Sequence, residues 1–290
     1  MKAALVILLI AFNAQAAMRP GFSTEVNRWS YAATTNAGSI SARTLADATV
    51  LIRDIYSLGI RAKIYRNNQF AGDAFTASSS TVMGAVQAPI INDYGLAVED
   101  STAANSTWTY VERGSSGGLS SSAGSYLSTG LVPSTVYASA TNGHILLYVR
   151  TAANQAGFCG CQKTGVNSTF ALTVGPYVDG NTYAEPFITA TSYIAYSDSN
   201  GTGMYLASRT SATLNTLYKN GTSVGTNTTD DGPTLPDLSF TMFGLHDTIP
   251  VIGQFSTKVV GCYSIGIGLT AAEAAGYTTA CQKFQTSLGR

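Results

Sequence analysis

The carboxylates are the first residues to consider for chemistry in this chain. It contains only five glutamates: Glu25, Glu99, Glu112, Glu185 and Glu273. Hydrolysis of a glycosidic bond uses two carboxyl groups, and residues two or four apart on a strand share a face. No glutamate has such a partner on a predicted strand, and the adjacent Glu99 and Asp100 would point to opposite faces. The spacing therefore argues against a glycosidase with strand-borne carboxylates.

Nucleophilic catalysis is also poorly supported by the sequence. Only two histidines occur, His144 at the start of a predicted strand and His246 in a loop beside Asp247. No Gly-x-Ser-x-Gly turn, which would present a nucleophilic serine, accompanies them. We therefore predict that the chain is not an enzyme, and we interpret His246 as a surface residue.

Two acidic loops are better candidates for binding. They are Asp198-Ser199-Asn200-Gly201 and Thr229-Asp230-Asp231-Gly232. Calcium takes six to eight oxygen ligands from such loops, so Asp230 and Asp231 are candidate calcium ligands, with turn formation as the alternative. Tyrosine rings can stack on sugar rings while Asp and Asn bond the hydroxyls. The resulting candidate carbohydrate-binding residues are Asp198, Asn200, Asp230, Asp231, Tyr177, Tyr183 and Tyr196. No other cofactor is indicated.

The four cysteines are compatible with several states. Cys159 and Cys161 would share one face of a strand, and Cys262 and Cys281 lie far along the chain. An even number of cysteines permits two disulfides in an oxidising compartment. Buried free thiols are the favoured interpretation and disulfides the second. A metal site is the third, because neither histidine has the spacing that zinc requires.

The composition excludes several classes of partner. Sixteen basic residues balance sixteen acidic residues, and only 11% of the chain is charged. Nucleic-acid binding needs a basic patch, and a membrane-surface helix needs a basic face; the sequence shows neither. An uncharged polar surface of this kind is common in exported fibres, adhesins and virion proteins.

The N-terminal segment has the pattern of an export signal. Lys2 is followed by an apolar stretch over residues 3–12, and Ala14-Gln15-Ala16 fits a cleavage site. The alternative is an apolar N-terminal segment that is retained. The stretch is shorter than the roughly 20 residues that span a bilayer, and no other segment is predicted to span one.

The elements that must position these residues are mostly strands. From residue 125 onward, short apolar runs alternate with turns such as Asn142-Gly143, Asp179-Gly180 and Asn220-Gly221. Asn-Gly and Asp-Gly favour tight hairpin turns, so the regular spacing predicts an all-β, two-sheet β-sandwich. Periodic apolar residues predict an N-terminal helix at about 44–58 and a C-terminal helix at about 271–287, the latter beginning with the capping box Thr270-x-x-Glu273.

Short segments resemble a known superfamily. The ending Cys262-Tyr263-Ser264-Ile265-Gly266 and the hairpin Leu217-Tyr218-Lys219-Asn220-Gly221 are similar to concanavalin A-like, or laminin-G-like, lectin and glucanase domains. Domains of this kind occur in tailed-phage structural proteins and in environmental bacterial surface proteins. The resemblance implies a jelly-roll sandwich, and it says little about function because the fold hosts lectins, glycanases and structural modules.

These observations lead to one expectation with an alternative. We expect a non-catalytic virion-surface structural or attachment protein, such as a fibre, tail or decoration component, with a lectin-like sandwich. The alternative is a secreted bacterial carbohydrate-binding or adhesin protein that assembles into an extracellular filament. Both imply an extracellular or virion location, a glycan or host-surface ligand, and contacts with copies of itself or other structural subunits. We expect residues 17–290 to form one domain, with the core sandwich at about 108–290.

Overall fold

The structure is a computed structural model that describes residues 20–72, 83–100, 107–122, 124–151, 157–175, 179–189, 192–247 and 252–290. Four α-helices occur in this part of the chain: α1 (Pro20–Thr35), α2 (Ala42–Ser57), α3 (Pro133–Val136) and α4 (Ala271–Ser287). The strands of the same part are β1 (Ile64–Asn68), β2 (Ile91–Asn92), β3 (Trp108–Val111), β4 (Gly118–Ser121), β5 (Leu127–Ser128), β6 (Gly143–Val149), β7 (Gly157–Lys163), β8 (Val166–Val174), β9 (Asn181–Thr189), β10 (Ile194–Ser197), β11 (Gly203–Ser211), β12 (Leu214–Lys219), β13 (Thr222–Asn227), β14 (Thr241–Met242), β15 (Leu245–His246), β16 (Ile252–Gly253) and β17 (Val260–Gly266).

The strands form two sheets. The first sheet has the order β13-β12-β11-β6-β17-β1-β2, and β4 joins it beside β17 and carries β3. The second has the order β10-β9-β8-β7-β14-β5, with β15 and β16 attached beside β7. Neighbouring strands run antiparallel except for β15 beside β7. The predicted two-sheet β-sandwich with terminal helices is thus confirmed.

Alternation along the strands builds two separate apolar cores. In β6, Ile145 and Leu147 point into the space between the sheets, while Leu146 and Tyr148 point to the outer face of the first sheet. Successive side chains of a strand face opposite sides, so one central strand serves both cores. β6 reads as a continuous buried run because both of its faces are covered.

The outer core lies between the first sheet and the helices. Trp29 of α1, Ile52 of α2 and Phe284 of α4 belong to it together with Leu206 and Cys262 of the sheet. The molecule therefore has three layers: the second sheet, the first sheet, and the helices. Among the described residues, the long helices lie on the first sheet, and they leave the outer face of the second sheet without a helical cover.

Local signals explain where the helices begin. Thr270 accepts a hydrogen bond from the backbone of Glu273, and Glu273 accepts one from the backbone of Thr270, as the capping box predicts. Helix α2 begins at Ala42 because the hydroxyl of Ser41 accepts from the Thr44 N–H at 3.1 Å. Its start is thus two residues before the predicted one, and Thr44 occupies the third helical position.

The sandwich also draws on residues upstream of the predicted boundary near 108. Strand β1 lies between β17 and β2 in the first sheet, with Asn67 opposite Ser264. Pairing of β1 with a strand almost two hundred residues later cannot be read from local pattern. Helix α1 was missed in the sequence, and its Trp29 donates a hydrogen bond to the Ala88 carbonyl at 3.0 Å.

Residues 1–16, the predicted signal peptide or apolar segment, lie outside the described residues. Their cleavage and the single-domain assignment for 17–290 stay predictions. None of the helices in the described ranges combines the length and apolar character that a membrane crossing requires.

Candidate functional site

The outer face of the second sheet presents a pair of side chains two residues apart on β9. Tyr183 and Glu185 point outward, while Ala184 between them is buried in the core between the sheets. Register places Tyr183 opposite Thr173 of β8 and opposite Ala195 of β10. Because outward residues of neighbouring strands share one surface, β8, β9 and β10 together carry this face.

An aromatic platform lies at one part of this face. The rings of Tyr183 and Tyr193 pack edge to face with centroids 5.1 Å apart, and Tyr193 is 42% exposed. The Tyr183 hydroxyl donates to Asp179, which also accepts from the Asn181 side chain at 2.9 Å. These hydrogen bonds, that of Tyr183 first, lower the pKa of Asp179. The platform therefore combines an aromatic surface with an ionised acceptor.

Glu185 is the distinctive group of this face. Burial raises the pKa of its carboxyl from 4.5 to about 7, although the side chain still reaches solvent. Within the described ranges its carboxyl has no hydrogen-bond or ion-pair partner. A half-buried carboxyl with free lone pairs is available to accept hydrogen bonds from a ligand.

Small residues make the surface beside Glu185 shallow. Ala171 of β8 lies opposite Glu185, and Gly160 of β7 lies opposite Ala171. A Cβ atom at Gly160 would lie 2.4 Å from the Ala171 Cβ, so a larger residue does not fit there. The Tyr183–Glu185 face, as we call the surface formed by Tyr183, Glu185 and Tyr193, thus borders a shallow floor.

The loop at Asp198 has a structural role, because its carboxylate accepts several hydrogen bonds from the surrounding protein. Asp198 accepts from the Gly201 N–H at 3.0 Å and from Lys219 Nζ at 2.7 Å, and Tyr205 also donates to it. Burial acts to raise the pKa of Asp198, but these bonds outweigh it and hold the pKa below its ordinary value. Asn200 is exposed and its N–H also bonds Asp198, as expected for a turn.

The loop at Asp230 and Asp231 lies at the other end of the β9–β10 hairpin. Asp231 accepts from the Thr189 N–H at 2.5 Å and from the Ser192 hydroxyl, and its other oxygen lies 3.4 Å from Arg209 Nη1. Asp230 is half exposed and caps a turn by accepting from the Gly232 N–H at 3.1 Å.

The predicted binding residues are therefore not brought together. The Asp198 and Asp231 loops lie at opposite ends of β9, about 25 Å apart for a strand of this length. Tyr196 pairs with Thr182, which places its ring on the core side of the sheet, opposite to Tyr183. Tyr177 lies outside the described residues. Of the predicted set, Tyr183 belongs to the open face.

Sequence reasoning missed Glu185, Tyr193 and Asp179. On a strand that includes both residues, the pattern Tyr183-x-Glu185 places the first of these on the same face as Tyr183. Tyr193 follows a turn, and its contact with Tyr183 depends on the pairing of β9 with β10. Asp179 was considered only as part of a hairpin turn.

A calcium ion does not fit the contacts at Asp231. One oxygen is occupied by N–H and hydroxyl donors, and the other faces a guanidinium. Calcium needs oxygen ligands and is repelled by a neighbouring cation. In the described part of the chain no three His, Cys, Asp or Glu side chains form a group suited to a metal ion.

The cysteines and histidines are structural. Four cysteines are buried free thiols: Cys159, Cys161, Cys262 and Cys281. This is the state that the sequence favoured over disulfides. His144 is buried, and burial lowers its pKa to about 4. His246 Nδ1 lies 3.1 Å from the Ser239 carbonyl oxygen at a partly buried position.

Comparison with solved structures finds similar folds. Domain 4 of AbnA, a GH43 extracellular arabinanase from Geobacillus stearothermophilus in complex with arabinotriose, superposes with a TM-score of 0.50 and 12% identity over 75% of this chain and 98% of that domain. A mutant sialidase from Trypanosoma rangeli superposes with a TM-score of 0.49 and 11% identity over 81% of this chain. Botulinum neurotoxin type C superposes with a TM-score of 0.48 and 10% identity over 78% of this chain.

The chain spans 39% of the sialidase chain and 53% of the neurotoxin chain. At 12% identity the likeness to the arabinanase domain is one of fold alone. No family model matches the chain, and no curated protein matches it either.

Proposed function

We propose that this chain is a lectin-like, non-catalytic module that binds an oligosaccharide on the Tyr183–Glu185 face. The observation that carries the proposal is the pair itself: an outward tyrosine and an unpartnered glutamate two residues apart on an uncovered sheet face. A sugar offers C–H faces that stack on aromatic rings and hydroxyls that donate to carboxylates. Tyr183 with Tyr193 supplies the first kind of contact, and Glu185 with Asp179 supplies the second.

The fold supports the same function. The arabinanase domain with the same kind of sandwich is described in complex with arabinotriose, so a sandwich of this kind can hold a short oligosaccharide. Fold alone does not assign function, and the residues of the face have to supply the contacts.

The positions of the other glutamates support a non-catalytic role. Glu25 pairs with Arg61 at 2.5 Å, Glu99 with Arg66 at 3.4 Å, and Glu273 with Lys63 at 2.7 Å. Glu112 accepts from Thr44 at 2.7 Å. Each of these four carboxylates is committed to a structural contact, so Glu185 has no second glutamate available for acid–base work. Asp179, the other carboxylate of the face, is held by the Tyr183 hydroxyl and the Asn181 side chain.

The binding test uses a glycan array and then titration calorimetry with the oligosaccharides that bind, beginning with arabinotriose. Tyr183→Ala should lower affinity about tenfold because it removes the stacking surface. The matched control is Tyr31→Ala on α1, where the side chain is 75% exposed on the helical side of the molecule. Equal affinity of wild type and Tyr183→Ala would rule out this face, and release of reducing ends from a polysaccharide panel would overturn the non-catalytic assignment.

The setting that we propose is a virion surface, where the chain acts as a fibre, tail or decoration component and contacts further subunits. The alternative is a secreted bacterial adhesin that assembles into a filament. The low charge and the balance of sixteen basic and sixteen acidic residues support an extracellular or virion surface in both cases. N-terminal sequencing of the native protein separates them: Met1 inside purified particles supports the virion, and a start at Ala17 in the medium supports secretion.

A further inference from the structure

A second concave surface lies on the opposite side of the sandwich. It is a cleft of about 350 Å³ on the outer face of the first sheet, between β11, β12 and β13 and the start of α4. Ligand pockets in proteins usually span roughly 300–1,000 Å³, so this cleft has the size of a small ligand site. We call it the hydroxyl cleft, after the groups that line it.

Strand alternation gives the cleft its chemistry. Leu217 of β12 is buried between the sheets, so its neighbours Thr216 and Tyr218 point outward and form the floor. They are only 8% and 6% exposed. The more exposed Ser223 and Thr226 of the edge strand β13 stand at the rim.

Of the seven side-chain hydroxyls that line the cleft, Ser208 on β11 and four on β12 and β13 differ in their contacts. The Ser208 hydroxyl donates to the Leu269 carbonyl and accepts from the Leu269 N–H, both at 2.8 Å, so it fixes the loop before α4. The hydroxyls of Thr216, Tyr218, Ser223 and Thr226 have no hydrogen-bond partner among the residues that the structure describes.

Two of these four residues, Thr216 and Tyr218, have nearly buried side chains whose hydroxyls still reach solvent in the cleft. Four hydroxyls free to donate and to accept converge on one cleft, and a ligand rich in hydroxyls satisfies both roles.

Charge narrows the class of ligand. No charged side chain lines the cleft. The nearest acidic group by sequence, Glu273, is held by Lys63 Nζ at 2.7 Å and by the Thr270 N–H at 2.9 Å. The exposed Leu214 adds an apolar patch that suits the C–H face of a sugar ring. An anionic ligand would meet no cationic side chain in the cleft, whereas a neutral ligand does not need one.

We propose that the hydroxyl cleft is a second binding site, which takes a neutral polyhydroxy ligand such as one pyranose ring or a small polyol. It is independent of the Tyr183–Glu185 face, because the two surfaces belong to different sheets and face opposite directions. Two sites on opposite faces would let one chain link two separate glycans.

The test uses the full chain and ligand-detected NMR with methyl glucoside, methyl galactoside, methyl mannoside, xylitol and, as an anionic probe, methyl glucuronide. The double variant Thr216→Val/Tyr218→Phe keeps side-chain shape and removes both floor hydroxyls. It should weaken binding of the neutral probes about tenfold or more, since each lost hydrogen bond weakens binding several-fold. The melting temperature of the double variant should equal that of the wild type. If the double variant fails to fold, each single variant is tested in its place.

Controls separate the two sites. Tyr183→Ala should leave binding of the small neutral probes to the hydroxyl cleft unchanged, and Thr216→Val should leave oligosaccharide binding to the Tyr183–Glu185 face unchanged. The proposal is overturned if no neutral probe binds at millimolar concentration, if the floor variants bind as wild type does, or if the anionic probe binds more tightly than the neutral ones.

Discussion

The guanidinium of Arg209 is fully buried and lies 3.4 Å from the carboxylate of Asp231. Arg209 stands at the end of β11 and also donates to the carbonyls of Phe187 and Ala212, the latter at 2.6 Å. Asp231 in turn accepts from Thr189 at the end of β9. This single pair therefore ties the first sheet to the second and to the loop after β13.

Replacement of Asp231 by Ala should lower the free energy of unfolding by about 3 kcal/mol, because it removes the nearer and buried carboxylate from a buried guanidinium and leaves only the half-exposed Asp230 at 3.9 Å. Asp230→Ala is the matched control: its side chain is 51% exposed, and the change should cost less than about 0.5 kcal/mol. Urea denaturation followed by circular dichroism measures both values.

Calcium should not alter these results. A chelator should leave the melting temperature of the wild type unchanged, because the oxygens of Asp231 are occupied by protein donors. A rise in melting temperature with added calcium that Asp231→Ala abolishes would restore the calcium site predicted from the sequence.

Glu185 should make stability depend on pH. Its pKa is about 7 in the folded chain against 4.5 ordinarily, so between these values the folded state holds a proton that the unfolded chain releases. The stability contributed by Glu185 is therefore complete below pH 4.5 and is lost as pH rises through 7. The free energy of unfolding of Glu185→Gln minus that of wild type should be larger at about pH 8 than at about pH 4. A difference independent of pH would contradict an unpartnered carboxyl.

The Tyr263 hydroxyl should matter much more to stability than the Tyr218 hydroxyl. Tyr263 donates to Glu99 and accepts from Arg66 Nε at 2.9 Å, and all three side chains are buried. Tyr263→Phe should cost roughly 1–3 kcal/mol because it removes a hydrogen bond from each charged partner. Tyr218→Phe should be close to neutral, since no described residue bonds the Tyr218 hydroxyl. Chemical denaturation of the two variants compares them directly.

The thiols should be unreactive in the folded protein. Burial raises the pKa of Cys159 and of Cys281 to about 12, and burial also raises the pKa of Cys161 and Cys262. A thiol attacks reagents as the thiolate, so Ellman's reagent should titrate the four cysteines after denaturation and none of them before it. A reductant should not shift the melting temperature, and a marked shift would indicate disulfides instead.

Local sequence patterns were sufficient to predict part of this structure. The capping box at Thr270 and the apolar stripe that follows it predicted α4 with its observed bounds, because cap and periodicity act within one helix. The hairpin at Asn220-Gly221 also follows from its own residues: Asn220 and Gly221 both have positive φ, as a tight turn of that type requires. The regular spacing of short apolar runs between such turns then predicted a two-sheet sandwich.

Pairing between distant segments decided the rest. The sequence places Asp198, Asp231, Tyr183 and Tyr196 within a short stretch, yet β9 separates the two aspartate loops and the pleat sends the two tyrosines to opposite faces. Whether an aspartate is a ligand or a structural acceptor depends on what meets it in space, and Arg209 and Lys219 meet these two. The outward positions of Glu185 and of the free hydroxyls follow from strand parity, which the sequence carries. Glu185 is available because the helices pack on the first sheet and not on the second, whereas the hydroxyls are reached through the cleft beside the start of α4. Only the tertiary structure decides either.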